Sequence, residues 1–247
     1  MNPVYRRVLI KLSGEALGID GKLFDFAMFD RIAEVIARIA KRGVQAALVL
    51  GGGNLWRGRE TEKAGSEMDR VLADHMGMLG TVMNSLAMRD ALRRNGQKAR
   101  VFSAIPMSGM VEPYFYQDAI RCMEQNEVAI FACGLGTSGP FHSTDTAAAQ
   151  RAAEISADAI LMAKNVDGVY DSDPRKNKNA RIIERATYQE IIRQQMEQGN
   201  EAIDTEALII CRKTKLPAML VFALRNPDDI ERMVDGEKPG TLLGPGL

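Results

Sequence analysis

Three stretches of this chain carry residue types suited to holding an anion. The first is Lys11-Leu12-Ser13-Gly14, a lysine followed by a small-residue turn. The second is Gly51-Gly52-Gly53, with Arg57 four residues beyond. The third runs from Gly134 through Gly136 and Gly139 to Asp145. Glycine lets a backbone close on a ligand and turn its N–H groups toward it. Lysine and arginine add the positive charge a phosphate needs. Any one of these stretches reads equally well as turn glycines and solvated charges. All three follow predicted strands, where one crevice can gather them. Phosphoryl transfer needs this kit: donors and cations around the equatorial oxygens, an acidic residue to organise them, and little covalent chemistry.

The elements that must position these residues follow from periodicity. Val4–Leu12 reads as a strand, apolar around Lys11 and ended by Ser13-Gly14. Gly18–Asp25 is a polar loop. Ala27–Arg42 has Phe29, Ile32, Val35, Ile36 and Ile39 at helical spacing, with Asp25 or Asp30 as cap and Gly43 as stop. Val44–Leu50 is the next strand, so the opening unit is strand, helix, parallel strand. After the charged stretch Gly58–Gly65, Ser66–Arg94 forms a long helix that is apolar on two faces. One face packs on the sheet, and the other is expected against a second subunit. Asp74 interrupts this helix, either as an exposed charge or as a ligand contact.

Strands are predicted at Lys98–Ser103, Val128–Cys133, Asp158–Ala163 and Ala218–Ala223, with a final edge strand at Gly240–Leu243. Pro113 reads as a break. Helices are predicted at Tyr116–Gln125, Thr146–Ile155, Tyr188–Gln198, Thr205–Lys213 and Asp228–Val234. Asp171–Ala180 is a polar loop. The fold class is α/β: an open, mostly parallel sheet with helices on both faces, in three layers.

Composition narrows the function. Lys+Arg and Asp+Glu both total 32, so no cationic surface speaks for nucleic acid. Three cysteines, Cys122, Cys133 and Cys211, read as buried thiols in a reducing compartment. Two histidines leave no room for a His-based zinc site. No apolar run approaches the ~20 residues of a membrane span, and no signal peptide is read, so the expected location is cytoplasmic. Gly134-x-Gly136-x-x-Gly139 matches a dinucleotide fingerprint, but Pro140 follows at once and the loop runs on to Asp145. Around Gly21-Lys22, Ala16 and Leu23 break the Walker spacing, and the H-R-D and D-F-G signatures are missing.

Taken together, Lys11-Leu12-Ser13-Gly14-Glu15-Ala16-Leu17, Gly51-Gly52-Gly53-Asn54 with Arg57-Gly58, and Ala73-Asp74-His75-Met76-Gly77-Met78-Leu79 resemble the bacterial uridylate kinases of the amino-acid-kinase superfamily. Ser103-Ala104-Ile105-Pro106, Pro140-Phe141 with Thr144-Asp145, Val166-Asp167-Gly168-Val169-Tyr170 with Asp173-Pro174, and Gly240-Thr241-Leu242 extend the resemblance over essentially the whole chain. It implies ATP + UMP → ADP + UDP with Mg²⁺, in pyrimidine nucleotide synthesis, by a homohexamer. It also implies a single domain over 1–247, with the UMP half at about 1–156 and the ATP half at about 157–247.

By position, the resemblance gives Lys11 the transferring phosphate and Asp145 an organising role toward lysine or metal. Leu12, Ser13, Gly14, Gly53 and Arg57 fall at the ATP phosphates, with Arg57 also catalytic. Lys164, Asn165, Tyr170 and Asp173 fall where the family binds adenosine. Gly52 and Asp74 face UMP, Asp74 toward the ribose hydroxyls. Thr137, Ser138, Gly139, Pro140, Phe141, His142, Ser143 and Thr144 wrap it. No protein residue is assigned as a metal ligand. UTP inhibition belongs to the same resemblance. GTP activation does not follow, because Gly18–Asp25 departs from the segment linked to it in some members. Gly139 stands where some relatives carry asparagine. Alternatives are a relative phosphorylating a carboxylate or carbamate, or a non-catalytic nucleotide- or oxyanion-binding member.

Overall fold

The structure is a computed structural model that describes residues 3–18, 22–56, 68–137, 143–199 and 202–246. Among these residues, nine strands form one sheet. They are β1 (Arg7–Leu12), β2 (Gln45–Leu50), β3 (Ala99–Ser103), β4 (Glu112–Pro113), β5 (Val128–Ala132), β6 (Ala159–Lys164), β7 (Arg185–Thr187), β8 (Ala218–Ala223) and β9 (Thr241–Gly244). Their order is β4-β3-β5-β2-β1-β6-β8-β9-β7. The pairings are parallel except β8 with β9. β1 is the central strand, and Lys11 sits in register with Val49 of β2 and Met162 of β6.

The helices are α1 (Phe26–Lys41), α2 (Arg70–Arg94), α3 (Tyr116–Glu124), α4 (Thr144–Glu154), α5 (Tyr188–Gln198), α6 (Thr205–Thr214) and α7 (Asp228–Val234). α1 begins because the Asp25 carboxylate accepts from the Met28 N–H, and the chain turns away where Gly43 takes φ +84°. In α2 the cap is Asp69, which accepts from the Leu72 N–H at 3.0 Å.

Two apolar layers sandwich the sheet. Val8, Ile10 and Leu12 of β1 pack with Phe29, Ile32 and Ile36 of α1, Met88 and Leu92 of α2, and Ile230 and Met233 of α7. Leu9 packs on the other side with α3, α4, α5 and α6, through Met123, Ala148, Ile191 and Leu208. Each such aliphatic side chain contributes about 1.5–3 kcal/mol of burial. The pleat puts Lys11 on the Leu9 side. In β6, Ile160 and Met162 share that layer, so the pleat sends Lys164 to the same face.

Several boundaries differ from the sequence reading. Gly14–Leu17 closes into one 3₁₀ turn directly after β1. The first strand starts at Arg7 rather than Val4. Pro113 does not break the segment. It ends a two-residue strand paired with Phe102 and Ser103, at a sheet edge where a missing N–H costs little. β9 is no edge strand, because it lies between β8 and the short β7. α4 starts at Thr144, two residues early, because Ser143 is its cap. The expected helix start at Ser66 and the stretch Gly58–Gly65 lie outside the described residues. α2 does lay one face on the sheet, burying Val82, Met88 and Leu92, while Leu72, Leu79 and Met83 on the other face are about half exposed.

Candidate active site

β5, β2, β1 and β6 are consecutive parallel neighbours, so the loops after them emerge along one rim. The described parts of the three glycine-bearing stretches are therefore side by side. Lys11 and Lys164 both project to the face that α4 covers. Asp145, in the first turn of α4, meets them there. Its Oδ1 is 2.9 Å from Lys11 Nζ, and its Oδ2 is 2.5 Å from Lys164 Nζ. Lys11 and Asp145 are each only 4% exposed.

Local structure explains why Asp145 holds this place. Ser143 Oγ accepts from the N–H groups of Asp145 and Thr146, fixing the first turn. A carboxylate in that turn is favoured by the positive end of the helix dipole. The Asp204 N–H adds a contact of 3.4 Å to Oδ2. Burial alone would raise the Asp145 carboxyl, but the two ammonium groups outweigh it and hold it well below the usual carboxylate range. Burial pushes the Lys11 ammonium down, and Asp145 opposes that.

The first two glycine stretches touch through backbone. A Cβ on Gly14 would lie 2.4 Å from the Gly53 nitrogen and 2.7 Å from the Gly51 oxygen. One on Gly52 would lie 2.6 Å from the Gly77 oxygen of α2. Glycine at 14 and 52 is thus a packing requirement of the fold. The triplet is held from α2 by Asn84, which is fully buried and donates to the Gly51 carbonyl at 2.7 Å. Asn84 and Asn54 also exchange side-chain hydrogen bonds, and Asn54 donates to the Leu23 carbonyl.

The third stretch begins with two left-handed residues, Cys133 (φ 61°) and Gly134 (φ 55°). Thr81 Oγ1 accepts the Cys133 N–H at 3.0 Å. Arg151, itself buried, donates to the Gly134 carbonyl at 3.0 Å and lies 3.8 Å over the Tyr114 ring.

Two clefts open on either side of Lys11 and Asp145. One is lined by Gly52, Gly53, Asp74, Ser143 and Thr144, together with Trp56. Asp74 is partly buried there, with Arg70 Nε 3.2 Å from its carboxylate. The other is lined by Lys164, Asn165 and Tyr170, with Leu224 and Arg225. Asn165 reaches back to the Glu15 carboxylate.

Some expected residues fall elsewhere. The Leu12 side chain is fully buried in the α1 layer and its carbonyl takes the Gly51 N–H, so only its backbone borders the site. The Asp173 carboxylate accepts from the Arg175 N–H and side chain, stabilising its own turn. Thr137 is exposed and outside the cleft lining. Arg57, Ser138, Gly139, Pro140, Phe141 and His142 lie outside the described residues.

Sequence reasoning gave no role to Asn84, Thr81, Arg151 or Trp56. Asn84 carried a usable signal, a polar residue inside an apolar helix. Arg151 carried none, since an arginine near a helix end usually reads as solvated.

An amino acid kinase family model matches residues 6–221. The chain belongs to the amino acid kinase family. Within that family its relatives are uridylate kinases. It is 46% identical to the uridylate kinase of Yersinia pestis (strain Pestoides F) over 242 residues, 98% of this chain and 97% of the relative. Among solved structures, the UMP kinase from Bacillus anthracis matches with TM-score 0.89 and 38% identity, over 98% of this chain and 97% of that one. The UMP kinase from Ureaplasma parvum matches with TM-score 0.85 and 36% identity, over 97% and 98%. The amino acid kinase fold of these neighbours is the α/β/α sandwich described above. Among the described residues, no helix is long and apolar enough to cross a membrane.

Proposed function

We propose that this protein is a UMP kinase, transferring the γ-phosphoryl group of ATP to UMP. The observation that carries this is the buried Lys11–Asp145–Lys164 cluster standing between two clefts at one rim of the sheet. UMP occupies the cleft of Gly52, Asp74, Ser143 and Thr144. Asp74 takes the ribose hydroxyls, and an anionic side chain there disfavours an acidic acceptor. ATP occupies the cleft of Lys164, Asn165 and Tyr170, its phosphates reaching Ser13, Gly14, Gly53 and Arg57. By this division, the chain up to about 156 holds the acceptor and contributes to the ATP phosphates, and the remainder holds the adenosine of the donor.

A phosphate oxygen of UMP, already anionic, attacks the γ-phosphorus in line. The bond from that phosphorus to the β–γ bridging oxygen breaks, and ADP leaves with the electron pair. No general base is needed. Lys11 lies where charge develops on the transferring group and stabilises it, while Asp145 fixes the ammonium. Mg²⁺ bound with ATP would supply positive charge to its phosphates. Asp145 is taken up by two lysines, and the described residues hold no cluster of three potential metal ligands.

The exposed stripe of Leu72, Leu79 and Met83 on α2 supports a subunit contact, consistent with a cytoplasmic homohexamer. A coupled ADP-release assay with UMP, CMP, acetylglutamate and carbamate tests the main reading. UMP-dependent turnover well above the others is expected, and its absence overturns the reading.

A further inference from the structure

Trp56 is the only tryptophan in the chain. It follows the glycine triplet, where the N–H groups of Leu55 and Trp56 both donate to the Gly52 carbonyl at 2.9 Å. That turn swings the indole onto the wall of the acceptor cleft, beside Gly52, Asp74 and Gly77. The indole Nε1 is shielded from solvent and has no hydrogen-bond partner among the described residues. It is the sole buried side-chain nitrogen or oxygen among them in that condition. Indole N–H groups normally find an acceptor when buried, and an orphan donor is a cost the fold carries.

The direction of the ring is informative. Its Cδ1, the carbon bonded to Nε1, lies 4.0 Å from where a Cβ on Gly77 would stand. The five-membered ring of the indole thus lies beside α2 at Gly77. Gly77 carries no side chain to crowd that ring. Asp74 lies one helical turn back on the same wall. An oxygen-rich ligand seated between the glycine triplet and Asp74 lies beside the indole.

We propose that Trp56 is a further acceptor-binding residue, donating its indole N–H to an oxygen of the bound nucleoside monophosphate. This rests on the acceptor cleft assigned above. The donor is dry and unpaired among the described residues, so a small turn of the indole toward the nucleotide forms the hydrogen bond without breaking an internal one.

The test uses the full-length protein labelled with ¹⁵N-tryptophan, which has a single indole N–H signal. Saturation with UMP is expected to move that signal downfield and slow its exchange with solvent. ATP without UMP is expected to leave it near its starting position. Trp56→Phe keeps a ring and removes the donor. It is expected to raise KM for UMP about five- to tenfold, with kcat and KM for ATP changed by less than about twofold. If calorimetry shows UMP saturating the wild type while the indole signal and its exchange stay unchanged, the proposal is overturned. Trp56→Phe binding UMP as the wild type does overturns it equally. If the wild type binds no UMP, the acceptor-cleft reading itself falls, and this proposal with it. The wild-type measurement stands even if the variant does not fold.

Discussion

The ammonium of Lys11 and the carboxylate of Asp145 meet at 2.9 Å, both almost wholly withdrawn from water. A buried pair of this kind gains little net stability over an apolar one, but losing one partner strands the other's charge. The pair therefore makes most sense as a device that holds a cation in place for phosphate. Lys11→Ala should lower kcat by about 100- to 1,000-fold, the range found when one preorganised charge-stabilising donor is lost. KM values for both nucleotides should move far less. Steady-state kinetics below the melting temperature of the variant would check this, and a change confined to KM would contradict it.

Asp145→Asn addresses the same cluster through stability. The carboxyl is depressed in the folded protein, so its contribution is fully present above the unfolded value of about 3.9 and is lost as pH falls below it. At neutral pH the variant should lose about 3–5 kcal/mol, since two lysines face each other without their counter-charge. Urea titrations across about pH 4.5 to 2.5 should show the wild type losing stability more steeply than the variant. Parallel curves would mean that some other group governs acid unfolding.

Asp74→Asn separates the two substrates. Losing a charge-assisted hydrogen bond to ribose should raise KM for UMP about 10- to 100-fold. With ATP assigned to the other cleft, its KM should stay within about twofold. An equal rise for both nucleotides would remove Asp74 from the ribose role.

Two glycines on facing elements predict opposite outcomes. Gly52→Ala places a methyl 2.6 Å from a helix carbonyl that cannot rotate away, and should cost about 1–3 kcal/mol. Gly77→Ala meets nothing closer than 4.0 Å outside its own helix, and should leave stability level or raise it by up to about 1 kcal/mol. Thermal melts of both variants decide the matter. Equal losses would show that helix flexibility at Gly77, rather than space at Gly52, is what the fold needs.

Much of this was legible in the sequence because it is local. Strand periodicity placed Lys11 at a carboxyl end, and the glycine stretches announced themselves. What stayed hidden was register. That Lys164 shares a carboxylate with Lys11 depends on β6 lying beside β1, a pairing across some 150 residues that no window of sequence contains. The same holds for β9, whose four residues look like an edge and are an interior strand because β7 adds outside them. β4 and β7 were missed because two or three residues are too few to show a period of two. Asp74 stood out as a charge among apolar residues. Asn84 is more deeply buried, yet its neutral amide drew no notice.

Asn84 has one more consequence. The glycine triplet has no side chains by which its surroundings could grip it, so its position is borrowed from α2 through one amide and one backbone contact. The helix acts as a ruler laid along the cleft. Asp74 near its start and Asn84 ten residues on keep a fixed spacing, which, in the proposed acceptor cleft, would set the distance between the nucleoside end of the acceptor and the point where its phosphate stops.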